Sequence, residues 1–244
     1  MTEEQLVVPD ADILVGVPCY KDGAMVARCL ASLREPGVQL LIVDNGSGPD
    51  VKSAIDGQGI VIRNEVNRYV NPAWNQMMEW FLARPGRYDL LVIANSDLVL
   101  DPGWAGKLRA HRAADKREQI IFGRVGPEHS SMGAFFAMTE GAVVAACPIP
   151  LAILIYAGDD FIFEVNRRVG FSEVVVEDLT MFHAVSGTIS RSPELWDIGR
   201  LDNAQWHQYV LPRIVPNRVR ALRRTSAEFL KRAVKLRKKM RRKR

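Results

Sequence analysis

Cysteine is scarce in this chain of 244 residues: Cys19, Cys29 and Cys147 are odd in number and never stand in CxxC spacing. That excludes a disulfide framework and a zinc knuckle, and it fits a reducing compartment. Long apolar runs are also missing. Nothing approaches the roughly 20 residues a membrane-spanning helix needs, and residues 1–12 are acidic and polar where a secretory leader would be basic and then apolar. A soluble, cytoplasmic chain is expected, at most peripheral to a membrane. Outside secretion, the Asn45-Gly46-Ser47 glycosylation pattern carries no meaning. The phosphate-binding fingerprints are absent as well: Gly46-x-Gly48 lacks the third glycine of a dinucleotide loop, and no GxxxxGK[ST] occurs. A bound diphosphate would therefore need its charge met by a metal rather than by a glycine-rich cradle.

What is present begins with Leu90 to Ala94, apolar without alternation, which is how a strand reads when both faces of a parallel sheet are covered. It stops at Asn95-Ser96-Asp97. Residues 13–18 and 38–43 read the same way, with helical spacing of Met25, Val26, Cys29, Leu30 and Leu33 between them and a stop at Glu35-Pro36-Gly37. This is a right-handed strand-helix-strand crossover with both strand ends at one edge. Residues 60–62 give a third strand. An asparagine-rich stretch (Asn64, Asn67, Asn71, Asn75) leads through Pro72 into a helix over 73–82. A short helix over about 104–111, a strand at 120–122, a strand and helix within 131–146, a helix opening at Gly158, and two late strands at 174–176 and 180–183 follow. Ser192-Pro193-Glu194 opens a further helix, and Thr225-Ser226-Ala227-Glu228 is a capping box for the last one. The divisions expected are a lead-in over 1–11, an α/β domain over 12–190 and a helical extension over 191–244.

Three strands thus end in polar clusters, Pro18-Cys19-Tyr20, Asp44-Asn45-Gly46-Ser47 and Asn95-Ser96-Asp97. Ligands of open α/β sheets bind beyond the carboxyl ends of the strands, so these clusters mark a nucleotide-type site. Asp97 is the first candidate for a metal or substrate contact. Each cluster alone is also an ordinary turn with side-chain-to-backbone bonds.

The order of these motifs resembles the family-2 glycosyltransferases with a GT-A fold over residues 13–183. The resemblance rests on Pro18-Cys19-Tyr20, Val43-Asp44-Asn45-Gly46-Ser47, the Asn67–Asn75 stretch, Asn95-Ser96-Asp97 as a D-x-D-type end, Asp159-Asp160 before a helix, and the late His183. It implies a Rossmann-like, mostly parallel mixed sheet flanked by helices, and an inverting transfer of a sugar, of hexosyl type, from a nucleotide-diphosphate donor to an acceptor hydroxyl. By the same resemblance, Tyr20 and Asp44 hold base and ribose, favouring a UDP-type donor, with Pro18, Asn45, Asn75, Asn95 and Ser96 around them. Asp97 and His183 hold the divalent cation. A carboxylate with an imidazole favours Mn²⁺ over Mg²⁺, which prefers oxygen ligands alone. Asp160 is the implied general base, with Asp159 beside it on acceptor hydroxyls. Adjacent acids also suit a helix N-terminus for the dipole alone. The sequence departs from the pattern at Asn95, where the family carries an acid. His111, His129 and His207 match no family position and read as surface residues.

Charge divides the chain. From Arg213 onward there are 15 Lys/Arg against the single acid Glu228, a net of +14, leaving −9 over residues 1–212. With Phe229, Leu230, Ala233, Val234 and Met240 on one helical face, the tail reads as a basic amphipathic helix for an anionic membrane surface or nucleic acid. Two other functions stay open: a non-catalytic nucleotide-sugar or glycan binder in which Asn95 marks a degraded site, and a nucleic-acid binder acting through the tail. The acceptor, whether glycan, lipid-linked glycan, protein or nucleic acid, is not readable.

Overall fold

The computed structural model describes residues 7–126, 129–184 and 194–214. The expected crossover is there: β1 (Ile13–Cys19), α1 (Gly23–Leu33) and β2 (Val38–Asn45), with the strands parallel from Ile13 opposite Val38 to Cys19 opposite Asp44. Then come α2 (Pro49–Ile55), β3 (Ile60–Asn64), α3 (Val70–Leu82), β4 (Leu90–Ala94), β5 (Leu98–Leu100) and α4 (Trp104–Ala114). Next are β6 (Gln119–Val125), β7 (His129–Ser130), β8 (Phe135–Met138), α5 (Glu140–Ala146), α6 (Gly158–Arg168) and β9 (Ser172–His183). The described chain closes with α7 (Glu194–Gln205), a π-helical turn over Trp206–Val210 and α8 (Leu211–Ile214).

The strands form one mixed sheet in the order β3-β2-β1-β4-β8-β6-β9-β5, with β7 beside β6. Six of the nine described strands run the same way, and β5, β7 and β8 oppose them. The absence of alternation in β1, β2 and β4 has its cause in two cores. Leu14, Leu41, Leu91 and Ile93 face α3, α5 and α6, whereas Val15, Ile42, Val92 and Ala94 face α1 and α4. Trp74 meets Phe136 edge-to-face at 5.5 Å on the first side, and Trp104 meets Phe135 the same way at 6.1 Å on the second. Gly16 lets α3 close onto β1: a Cβ there would lie 2.5 Å from the sulfur of Met77.

The structure adds to and departs from the sequence reading in several places. The two late strands are one, β9, whose residues 176–179 bulge out of the pairing with β6 between Phe122/Val175 and Arg124/Thr180. α2 was not anticipated. It follows the Gly48 N-cap with Pro49 in its first turn, and Asp50 there accepts the Gly23 N–H of α1 at 2.9 Å. β5 was also missed, because three residues with Val99 exposed offer no periodicity. Residues 194–214, expected as part of an extension, pack into the body, with Trp206 and Val210 buried in the core shared by α3, α5 and α6. The Ser192 cap, the capping box at Thr225–Glu228 and the basic tail helix lie outside the described residues. Among the described residues no helix is long and apolar enough to cross a membrane.

Candidate active site

The carboxyl ends of β1, β2 and β4 open on one cleft of about 280 Å³, lined among others by Pro18, Tyr20, Asn45, Asn95, Ser96, Asp97, Asp159 and His183. Among the described residues, non-glycine residues with left-handed φ are confined to loops bordering it: Lys21 (60°), Asp22 (53°), Tyr69 (70°) and Ala157 (58°). Each such conformation costs of order 1–3 kcal/mol, and strain of this kind is retained where a site requires the geometry. Asp22 recovers part of that cost by capping α1, its side chain accepting the Met25 N–H at 3.0 Å.

Asp97 and His183 come together through a contact that no local pattern announces. β5 pairs antiparallel with β9, setting Leu98 opposite His183, and the Ala184 N–H donates to the Asp97 carbonyl at 3.0 Å. The result is His183 Nε2 at 3.2 Å from Asp97 Oδ1, with both side chains largely buried. Two cis ligands of a cation bound at about 2.1–2.2 Å stand roughly 3 Å apart, so the pair fits two positions of an octahedral shell. Among the described residues no third His, Cys, Asp or Glu joins them. The remaining positions would fall to substrate oxygens and water, as they do for cations that bind nucleotide diphosphates.

Asp159 and Asp160, adjacent on the first turn of α6, part company. Asp159 lines the cleft, while Asp160 lies on the exposed side of the helix. Gly133 gives Asp159 its room: with φ +72°, a Cβ there would meet Asp159 Oδ2 at 2.4 Å. Although Asp159 keeps some exposure, loss of hydration in the cleft, reinforced by the charge of Asp160, raises its pKa from 3.8 to about 6. Gly133 and its neighbour Met132 are site residues that sequence reasoning missed. They sit on the turn before β8, where spacing carries no signal.

The remaining predicted residues divide by what their side chains already touch. Asn95 lines the cleft but also braces it, its amide donating to the Gly133 carbonyl at 3.3 Å while its backbone N–H bonds Ala134 at 2.9 Å. An aspartate could not donate to that carbonyl, which supplies a structural reason for asparagine in place of the acid. Asp44 is buried and does not line the cleft: Oδ1 accepts the Ser47 N–H at 2.9 Å and Oδ2 pairs with Arg63 at 3.1 Å. Asn45 donates to the Tyr69 carbonyl and accepts from Asn64, holding the strained Tyr69 loop at the rim. Asn75 is away from the cleft lining, clamping Ile149 by donating to its carbonyl at 2.9 Å and accepting its N–H at 2.7 Å. Much of the asparagine-rich stretch is therefore bracing. His129 and His207 are exposed and His111 is half-buried against Gln119 at 3.1 Å, all three away from the cleft.

Against curated protein sequences the chain has no match. Solved structures share its fold at low identity. A mannosyltransferase from Pyrobaculum calidifontis in complex with GDP-Man and Mn²⁺ superposes with a TM-score of 0.57 at 16% identity, over 80% of this chain and 63% of its own. Glucosyl-3-phosphoglycerate synthase from Mycobacterium tuberculosis, in complex with Mn²⁺, UDP and phosphoglyceric acid, gives 0.57 at 17% identity, over 80% and 76%. S. aureus TarS, residues 1–349, gives 0.59 at 11% identity, over 81% and 66%. The present chain thus spans less than two thirds of the mannosyltransferase and of that TarS fragment. The profile described as glycosyl transferase family 2 matches residues 14–138, just over half of the sequence, from β1 to the end of β8. The chain belongs to glycosyl transferase family 2.

Proposed function

We propose that the protein is an inverting, metal-dependent glycosyltransferase that moves a hexosyl group from a nucleotide-diphosphate donor, of UDP type, to an acceptor hydroxyl. The observation that carries this reading is the convergence in one cleft of a metal-type pair, Asp97 and His183, with a carboxylate of raised pKa, Asp159. Asp97 Oδ1 and His183 Nε2 would hold the cation. When bound, that cation supplies positive charge to the departing diphosphate.

Asp159 takes the proton in this reading. As the acceptor oxygen forms its bond to the anomeric carbon, the bond from that carbon to the diphosphate oxygen breaks, the hydroxyl proton passes to Asp159, and the leaving group departs on the opposite side. A base with a pKa near 6 is ionised at neutral pH yet close enough to it to accept a proton efficiently. Family resemblance points to Asp160 instead; the cleft lining favours Asp159. Tyr20, on the half-buried loop after β1, is the candidate stacking partner for the base. Asp44 positions that wall through Ser47 and Arg63 and could accept a base imide only with a lone pair left over from those bonds.

The decisive experiment incubates the protein with Mn²⁺ and each common nucleotide sugar and measures release of nucleoside diphosphate. Release from one donor class, abolished by chelator, is the expected result. Tight donor binding with no release from any donor would favour the non-catalytic reading in its place.

A further inference from the structure

Asp202 lies on α7, outside the family-matched segment, and is 1% exposed. Its carboxylate accepts three consecutive backbone N–H groups from the loop before α6: Leu154 to Oδ1 at 2.9 Å, and Ile155 and Tyr156 to Oδ2 at 2.5 and 2.9 Å. Successive N–H groups converging on one anion make a nest, a geometry in which the loop is shaped around the charge. The opposite side of the same loop is held by Asn71 on α3, whose amide donates to the Ile153 and Tyr156 carbonyls, both at 3.1 Å, and whose N–H bonds Leu154 at 2.9 Å. Gly158 and Gly199 let the two clamps close. A Cβ at Gly158 would meet Asn71 Oδ1 at 2.0 Å, and one at Gly199 would meet the Tyr156 ring at 2.3 Å.

The clamped loop presents Ile155 and Tyr156 to the cleft and passes through the left-handed Ala157 directly into the turn that carries Asp159. We propose that Asp202 is a positioning residue for transfer: by gathering the three N–H groups it fixes loop 153–156, and through that loop the place of Asp159. The proposal rests on the transferase reading above and adds to it the helical segment after β9 as a working part of the site.

The test uses the full chain with Asp202→Asn, which keeps shape and removes the charge, turning an amide N–H toward N–H groups. Asp202→Ser, which retains one acceptor oxygen, serves if the first variant does not fold. Hydrogen exchange of the Leu154, Ile155 and Tyr156 amides should accelerate, Mn²⁺-dependent affinity for the active nucleotide sugar should stay within about twofold, and turnover at saturating donor should fall by about tenfold or more. A merely structural role would leave that split between affinity and turnover unseen. Folded variant with wild-type turnover, or with donor affinity and turnover lost together, overturns the assignment of Asp202 alone. Wild-type protein that releases nucleoside diphosphate from no donor overturns the transferase reading, and this proposal with it.

Discussion

Replacing Asp159 by asparagine should make the protein more stable and nearly inactive at once. The folded carboxyl titrates at about 6 against 3.8 for an ordinary aspartate. Between roughly pH 4 and 6 the folded state therefore holds a proton that the unfolded state has lost, so stability falls as pH rises through that window and the deficit is complete above it. About two pKa units at 1.36 kcal/mol each set an upper bound near 3 kcal/mol, which the remaining exposure of the side chain reduces. Asparagine occupies the same space beside Gly133 without the charge. Urea denaturation at pH 8 should show the variant more stable by about 1–3 kcal/mol, or several degrees in melting temperature at this chain length, with the difference vanishing below pH 4. Turnover should fall about 10²-fold or more, and wild-type turnover should itself decline on the acid side of pH 6. A variant equally stable at both pH values, or one that keeps normal turnover while Asp160→Asn loses it, would refute the assignment of Asp159 as the base of raised pKa.

Asp97→Ala and His183→Ala should each lower Mn²⁺-dependent donor affinity by about tenfold or more in isothermal titration; retention of normal metal dependence in Asp97→Ala would remove it from the metal site. Gly16→Ala should cost about 1–3 kcal/mol by overpacking against Met77, and Met77→Ala in the same chain should return part of that loss in denaturant titration. Truncation after Arg224 should leave donor turnover intact, since the residues assigned to the site precede it, while sedimentation with anionic liposomes at low salt should disappear with the basic segment. Binding of the intact chain to neither liposomes nor nucleic acid would mark that segment as a solvated charge run.

Local sequence carried the scaffold. Apolar runs without alternation in β1, β4 and, past Gln39, β2 report burial on both faces, and that condition alone implies a parallel sheet with helices on each side and strand ends at one edge. That Asp97 and Asn95 stand at the cleft was legible for the same reason, since a strand end is a local event. What the tertiary structure decided was every relation between distant segments. His183 reaches Asp97 because a three-residue edge strand pairs with the end of β9, and a strand that short has no period to read. Adjacent Asp159 and Asp160 differ because consecutive helical residues project about 100° apart, so the seating of α6 on the sheet selects which one enters the cleft. Asn71 and Asn75 stand in a stretch that reads as part of a ligand site, and Asp202 carries no local signal; only the folded chain brings to them the loop carbonyls and N–H groups they satisfy, because a buried backbone group must find a partner wherever the chain can supply one.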